Sequence, residues 1–234
     1  MHLKELTHRS PLRVFERSLH GGVGKGNIGI VAARTGVGKT AFVTCVALDD
    51  LLRDRKVLHV TTTQTVDHVR AYYDEMFADL ANDVHLEETV VALDKIEHGR
   101  IIRSLNGRGF EVAALASSLA MLRTEVDFRP DVVIIDGYDF EGGPPEMLAS
   151  LRSVAKEHGC EVWMTARVHA DEADGDGDFI PKAIARVVES VSVCVLLKPV
   201  GDAIRICLLK DHDNLQVAEL TLDLDPKTFL IKQA

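Results

Sequence analysis

Eight consecutive residues carry the most legible chemistry in this chain: Ala33, Arg34, Thr35, Gly36, Val37, Gly38, Lys39 and Thr40. Their order fits the relaxed phosphate-binding loop, with Ala in the first position instead of Gly. A loop without bulky side chains lets successive backbone N–H groups turn inward and wrap a β-phosphate. A helix starting at Lys39 adds the positive end of its dipole. Lys39 can bridge the β- and γ-phosphates, and the Thr40 hydroxyl can take a place on Mg²⁺. Ala41 follows in the helix's first turn and completes the set expected around the phosphates. The plainer alternative is a Gly-rich turn with an incidental Lys. An apolar stretch before the loop and an amphipathic one after it argue against that alternative.

A second constellation lies about a hundred residues on. Asp131-Val132-Val133-Ile134-Ile135-Asp136 reads as a buried strand that ends in a carboxylate. In doubly wound sheets, ligands bind at the carboxyl ends of the strands. Asp136 is therefore expected to hold Mg²⁺ through water, opposite Thr40. Two other patterns fail on inspection. Gly24-Lys25-Gly26 lacks a Ser or Thr after the Lys and precedes the strand, so it reads as a turn. Residues 174–178 alternate Asp and Gly like the start of a calcium loop. However, Phe179 stands where that loop needs Gly and Ala185 where it needs Glu, leaving a solvated acidic loop.

Alternating strands and helices must position these groups. Strands are expected at residues 28–33, 57–62, 131–136 and 161–165, and a short one near 101–105. Helices are expected at 39–52, 66–80, 112–126 and 145–158, from apolar residues spaced three and four apart. Thr65 is a plausible N-cap for the second of these, and Gly159 a stop for the last. The segment 82–110 is the least regular and is read as a helix before its short strand. Beyond residue 186 the pattern changes to strands at 191–197, 203–209 and 219–224 separated by turn residues, as in hairpins. The sum is an α/β fold: a mostly parallel central sheet flanked by helices, with C-terminal antiparallel strands. One domain spans residues 1–234, with 1–26 as a polar lead-in segment.

Composition narrows the setting. The 234 residues are 46% hydrophobic but only 5% aromatic, which suits an aliphatic core around a buried parallel sheet. The net charge of −9 disfavours a general binder of nucleic-acid backbone. Cys45, Cys160, Cys194 and Cys207 are far apart and sit in apolar runs. They read as buried thiols in a reducing compartment. No apolar stretch resembles a signal peptide or approaches the length of a membrane span, so a cytoplasmic location is expected.

At this point the chain resembles a family. Gly21-Gly22-Val23-Gly24-Lys25-Gly26, the strand at 28–33 and the loop at 33–40 are similar to the lead-in of RecA-like ATPases of the KaiC and RadA type. Residues 32–42 are also similar to the ATPase core of DnaB-type replicative helicases. The resemblance is specific over residues 15–69 and continues more loosely through Asp136, 161–167 and 208–214. Only the segment 1–26 precedes the first expected strand, so the separate N-terminal domain of those helicases is not expected here. The resemblance implies a RecA fold, ATP with Mg²⁺, and often a homo-oligomeric ring or filament with nucleotide between subunits. The preference for ATP comes from the resemblance, since no guanine-reading Asn-Lys-x-Asp pattern appears.

The departures from the family are as informative. Its members place a catalytic Glu just after the second strand, whereas this chain has Thr61-Thr62-Thr63-Gln64-Thr65. Gln64 or Thr63 takes that place. A Gln can orient water but is a poor proton acceptor, so hydrolysis is expected to be slow unless Asp139 or Glu141 substitutes. In the family's Ser-Gln pair that senses the γ-phosphate, Thr165 keeps the hydroxyl while Ala166 replaces the amide. The family's trans-acting Lys-x-Arg finger corresponds to Lys210-Asp211-His212. Lys210 could reach a neighbour's γ-phosphate, but a His cannot fork onto one; a polar hairpin turn is the equal alternative. Loops that line the DNA channel in relatives correspond to residues 170–178, which carry five acids and no Lys or Arg, a composition that repels phosphates. The expectation is an ATPase whose nucleotide controls assembly or binding of a protein partner, with a non-catalytic nucleotide sensor as the rival and a DNA motor less favoured.

Overall fold

Six residues of β1 (Ile28–Ala33) are buried without exception, the signature of a strand covered on both faces. The same holds for β2 (Val57–Thr61) and β4 (Val132–Asp136), and for all but the last residue of β5 (Glu161–Arg167). A computed structural model describes residues 1–144, 146–169, 180–214, 217 and 220–233. The acidic stretch expected at 170–178 lies outside these, as does part of the strand expected at 219–224.

The strands form one nine-stranded sheet in the order β3-β2-β4-β5-β1-β6-β7-β8-β9. Here β3 is Arg100–Ser104, β6 Val193–Val200, β7 Ala203–Asp211, β8 Leu222–Leu224 and β9 Ile231–Gln233. The first six in that order run parallel, and β7 to β9 continue antiparallel. This is the expected α/β sheet, mostly parallel with antiparallel strands at its C-terminal end, and β9 extends it by one strand beyond those expected. One face carries α3 (Lys39–Leu52), α4 (Val66–Asp83) and α5 (Thr89–Gly99). The other carries α6 (Val112–Glu125) and α7 (Glu146–His158). Thr65 caps α4 as expected, accepting a hydrogen bond from the His68 N–H at 3.2 Å. After β5 come a short helix, α8 (Lys182–Ala185), and a 3₁₀ turn at Val188–Ser190.

The segment 1–26 is more than a lead-in. It folds into α1 (Leu3–Arg9) and α2 (Leu12–Ser18), which bury Leu3, Leu6, Leu12 and Phe15. Only two apolar residues per helix face the core, which is why the stretch reads as polar. An ion-pair knot ties α2 to α3. Glu16, Asp49 and Asp50 converge closely, and Arg53 reaches all three, at 2.8 Å from Glu16, 3.0 Å from Asp49 and 2.5 Å from Asp50. Arg55 adds a contact to Asp50 at 2.7 Å, and Arg13 pairs with Glu16 and Asp49. Asp50 is 1% exposed. Asp50→Ala would leave two guanidinium groups without their shared carboxylate. Removing one partner of a buried pair costs about 3–5 kcal/mol. Arg53 and Arg55 retain some solvent, so a loss of about 2 kcal/mol is expected in a urea melt. An unchanged midpoint would show that the knot is only surface decoration.

Among the described residues no cysteine is joined in a disulfide, and Cys45, Cys160 and Cys194 are buried. Burial pushes the Cys45 and Cys194 thiols up to about 12, so both stay protonated and inert. Among the described residues, no helix is long and apolar enough to cross a membrane.

Candidate functional site

Strand register brings the chemistry to one edge of the sheet. Ala33, the last residue of β1, pairs with Arg167, the last of β5, and Val31 pairs with Thr165. Asp136, the last of β4, pairs with Thr61 at the end of β2. Because β5 lies between β1 and β4, Thr165 stands between the glycine loop and Asp136. A cleft of about 500 Å³ opens there. Thr35, Lys39 and Thr40 line one side, and residues 136–141 together with Thr63, Thr165 and Arg167 line the rest.

Hydrogen bonds fix the acid. The Thr40 hydroxyl donates to Asp136 Oδ2 at 2.9 Å, joining residues 96 positions apart. The Thr165 hydroxyl donates to Asp136 Oδ1 at 2.7 Å and accepts the Gly137 N–H at 2.8 Å. Both carboxylate oxygens are therefore held, and Asp136 is 4% exposed. Gly137 has φ +86°, and a Cβ there would lie 2.6 Å from the Thr62 hydroxyl oxygen. Only glycine makes this turn off β4 without strain.

The loop supplies donors. Its residue Gly38 is the N-cap of α3, with φ +109° and no side-chain cap. A Cβ on it would meet Leu224 at 2.9 Å, so the loop rests directly on the C-terminal strands. Among the described residues, the N–H groups of Gly36, Gly38, Lys39, Thr40 and Ala41 donate to no backbone carbonyl. Such free donors, at the positive end of a 14-residue helix, form an anion-accepting surface. Arg34 and Val37 shape the loop through a Val37 N–H to Arg34 carbonyl bond of 3.3 Å. The Lys39 ammonium donates to the carbonyls of Ala33 and Arg34, each at 3.0 Å. Burial lowers the Lys39 pKa, Asp136 opposes that shift, and the nearby Arg167 adds to it. Ammonium, guanidinium, hydroxyl and carboxylate thus share one small space.

Two of the expected site residues lie elsewhere. The Thr61 hydroxyl accepts the Gln64 N–H at 3.1 Å, and the Gln64 carbonyl accepts from Ser104 on β3 at 2.5 Å. This tight turn leads Gln64 away from the cleft, with its Oε1 buried and unpartnered, while Thr63 takes the lining position. Lys210 is 6% exposed and donates to the Val188 carbonyl at 2.8 Å. It is anchored within its own chain. His212 turns at φ +54° and pairs with Asp211 at 2.8 Å.

Sequence reading also passed over residues that matter here. Arg167 follows Thr165 by two positions on β5, and this alternation alone could have placed both on one face near the strand's carboxyl end. Arg186 reaches back to the loop after β4, donating to the carbonyls of Phe140, Glu141 and Gly143 at 2.5, 2.9 and 3.1 Å. No sequence pattern announces that long-range brace. Compared with protein-family models and with curated proteins, the chain matches none.

Proposed function

We propose that this chain is a RecA-like P-loop ATPase that binds ATP with Mg²⁺ and whose nucleotide state controls assembly or engagement of a protein partner. The observation that carries the reading is the 2.9 Å contact between Thr40 and Asp136, made beside Lys39 at the carboxyl edge of the sheet. A hydroxyl and a carboxylate facing one another suit a hard, oxygen-seeking cation that also takes phosphate oxygens and water. Thr40 and Asp136 would hold Mg²⁺, which neutralises phosphate charge when bound. Free N–H groups of the loop and Lys39 would take the β- and γ-phosphates, and Thr165 would fix Asp136 against the γ-phosphate. Arg167 offers from the same chain a cation that Lys210 does not supply.

The preference for ATP follows the resemblance of residues 15–69 to the KaiC, RadA and DnaB-type ATPases. Without a Glu after β2, turnover is expected to be slow. The net charge of −9 weighs against a DNA-dependent motor, and a cytoplasmic setting fits the free thiols.

Thermal melting with nucleotide tests the reading directly. At about a hundredfold excess over Kd, ATP with Mg²⁺ should stabilise the fold by ~2.7 kcal/mol. For a domain of this size that raises the melting temperature by several degrees, roughly 5–10 °C. The shift should shrink when EDTA removes the metal and should be larger with ATP than with GTP. No shift with any nucleoside triphosphate, together with no binding heat by calorimetry, would sink the proposal.

A further inference from the structure

The missing Glu leaves open which group accepts the proton of an attacking water, and the cleft distinguishes the three side chains that could. Gln64 is turned away from it, as described above. Asp139 lines the cleft, but its Oδ1 accepts the N–H groups of Glu141 and Gly142 at 3.0 and 3.2 Å. It is the carboxylate that closes this turn. Glu141 lines the same cleft as Lys39, Thr40 and Asp136, and among the described residues its carboxylate meets no Lys or Arg. It meets a histidine: His169 Nε2, from the segment after β5, contacts Glu141 Oε1.

Two features fix this pair in place. Arg186 clamps three carbonyls around Glu141, so the backbone that carries the carboxylate is held. Gly143 packs closely on the Tyr138 side chain, so a Cβ there would have to displace the Tyr138 hydroxyl. Both side chains of the pair remain open to solvent, Glu141 at 54% and His169 at 40%, which gives a proton a way out.

We propose that Glu141 is the general base of the ATPase and that His169 is its positioning residue. The inference rests on the reading of the cleft as a nucleoside-triphosphate site. A water oxygen attacks the γ-phosphorus, and the bond from that phosphorus to the β–γ bridging oxygen breaks. The electron pair stays on the oxygen of the departing ADP, inorganic phosphate forms, and the water's proton passes to Glu141. In its Nε2–H tautomer, His169 donates to one carboxylate oxygen and leaves the other to accept that proton. The base thus comes from the loop after β4, in place of the one after β2.

Single-turnover hydrolysis and ATP binding, measured side by side on the full chain, test this. Glu141→Gln should bind ATP as tightly as the wild type and hold it uncleaved, with the hydrolysis rate down at least ~100-fold. His169→Ala should lose less, again in rate and not in affinity, and His169→Gln, which keeps a donor, should recover most of it. Wild-type rates in Glu141→Gln would overturn the assignment. So would a wild-type protein that binds ATP and never cleaves it, leaving the binding reading intact. A wild-type protein that binds no ATP would remove the nucleotide reading itself and the base with it.

Discussion

Lys39→Ala is expected to weaken ATP binding by at least ~100-fold while leaving the apo fold as stable as before. Among the described residues, the Lys39 ammonium is the one lysine charge lining the cleft. Charge-assisted hydrogen bonds to phosphate contribute roughly 1.5–3 kcal/mol each, and losing two of them corresponds to about two to four decades in Kd. The fold should be spared because, among the described residues, Nζ donates only to the carbonyls of Ala33 and Arg34, which water can satisfy once the side chain is gone. Lys39→Arg should fare poorly too, since a planar fork cannot replace a compact ammonium among loop carbonyls. Calorimetric titration with Mg²⁺-ATP and a nucleotide-free thermal melt read the two halves separately. Unchanged affinity in Lys39→Ala would reduce residues 33–40 to a structural turn. A collapsed melt would assign Lys39 to the fold and not to the ligand.

How much of this was legible before folding differs from element to element. The buried parallel strands were, because Ile28–Ala33 and Val132–Asp136 are unbroken apolar runs that end in a loop or a carboxylate. The pairing of Thr40 with Asp136 was legible as a motif, yet its geometry depends on β5 inserting between β1 and β4, which no local pattern encodes. The N-terminal helices were missed because each buries only two apolar side chains, so period 3.6 has too few points to register. The strand β9 was missed because only Ile231 of its three residues is buried, leaving no alternation to read. The surroundings of Gln64 and Lys210 escape the sequence for a shared reason. Spacing sets where a residue falls on the chain, whereas a single hydrogen bond to Thr61 or to Val188 decides which way its segment or side chain turns. Arg186 and His169 act on Glu141 across 45 and 28 residues, beyond the reach of any local signal.

The second large effect is expected in the core beneath the site. Phe42, on the first turn of α3 past Thr40, is fully buried. Its ring meets Phe15 edge-on at 5.6 Å and Trp163 edge-on at 5.8 Å, while Phe15 and Trp163 lie 6.1 Å apart. The three rings join α2, α3 and β5, so one aromatic cluster ties α3 to both the sheet and the N-terminal helices. Phe42→Ala removes the central ring and leaves a cavity that these elements cannot fill without moving. Buried Phe→Ala changes cost ~3–5 kcal/mol, here a fall of about 10 °C in melting temperature. The damage should be uneven. With Phe15 left facing a void, α2 retains the Glu16 ion pairs but loses its ring contact with α3, so residues 1–26 should open before the sheet does. Limited proteolysis should then cut the variant within that segment under conditions where the wild type resists. ATP should still bind, because none of the three rings lines the cleft that Lys39, Thr40 and Asp136 form. A melt lowered by less than 1 kcal/mol, or cleavage scattered evenly along the chain, would show that the rings fill space without joining the helices.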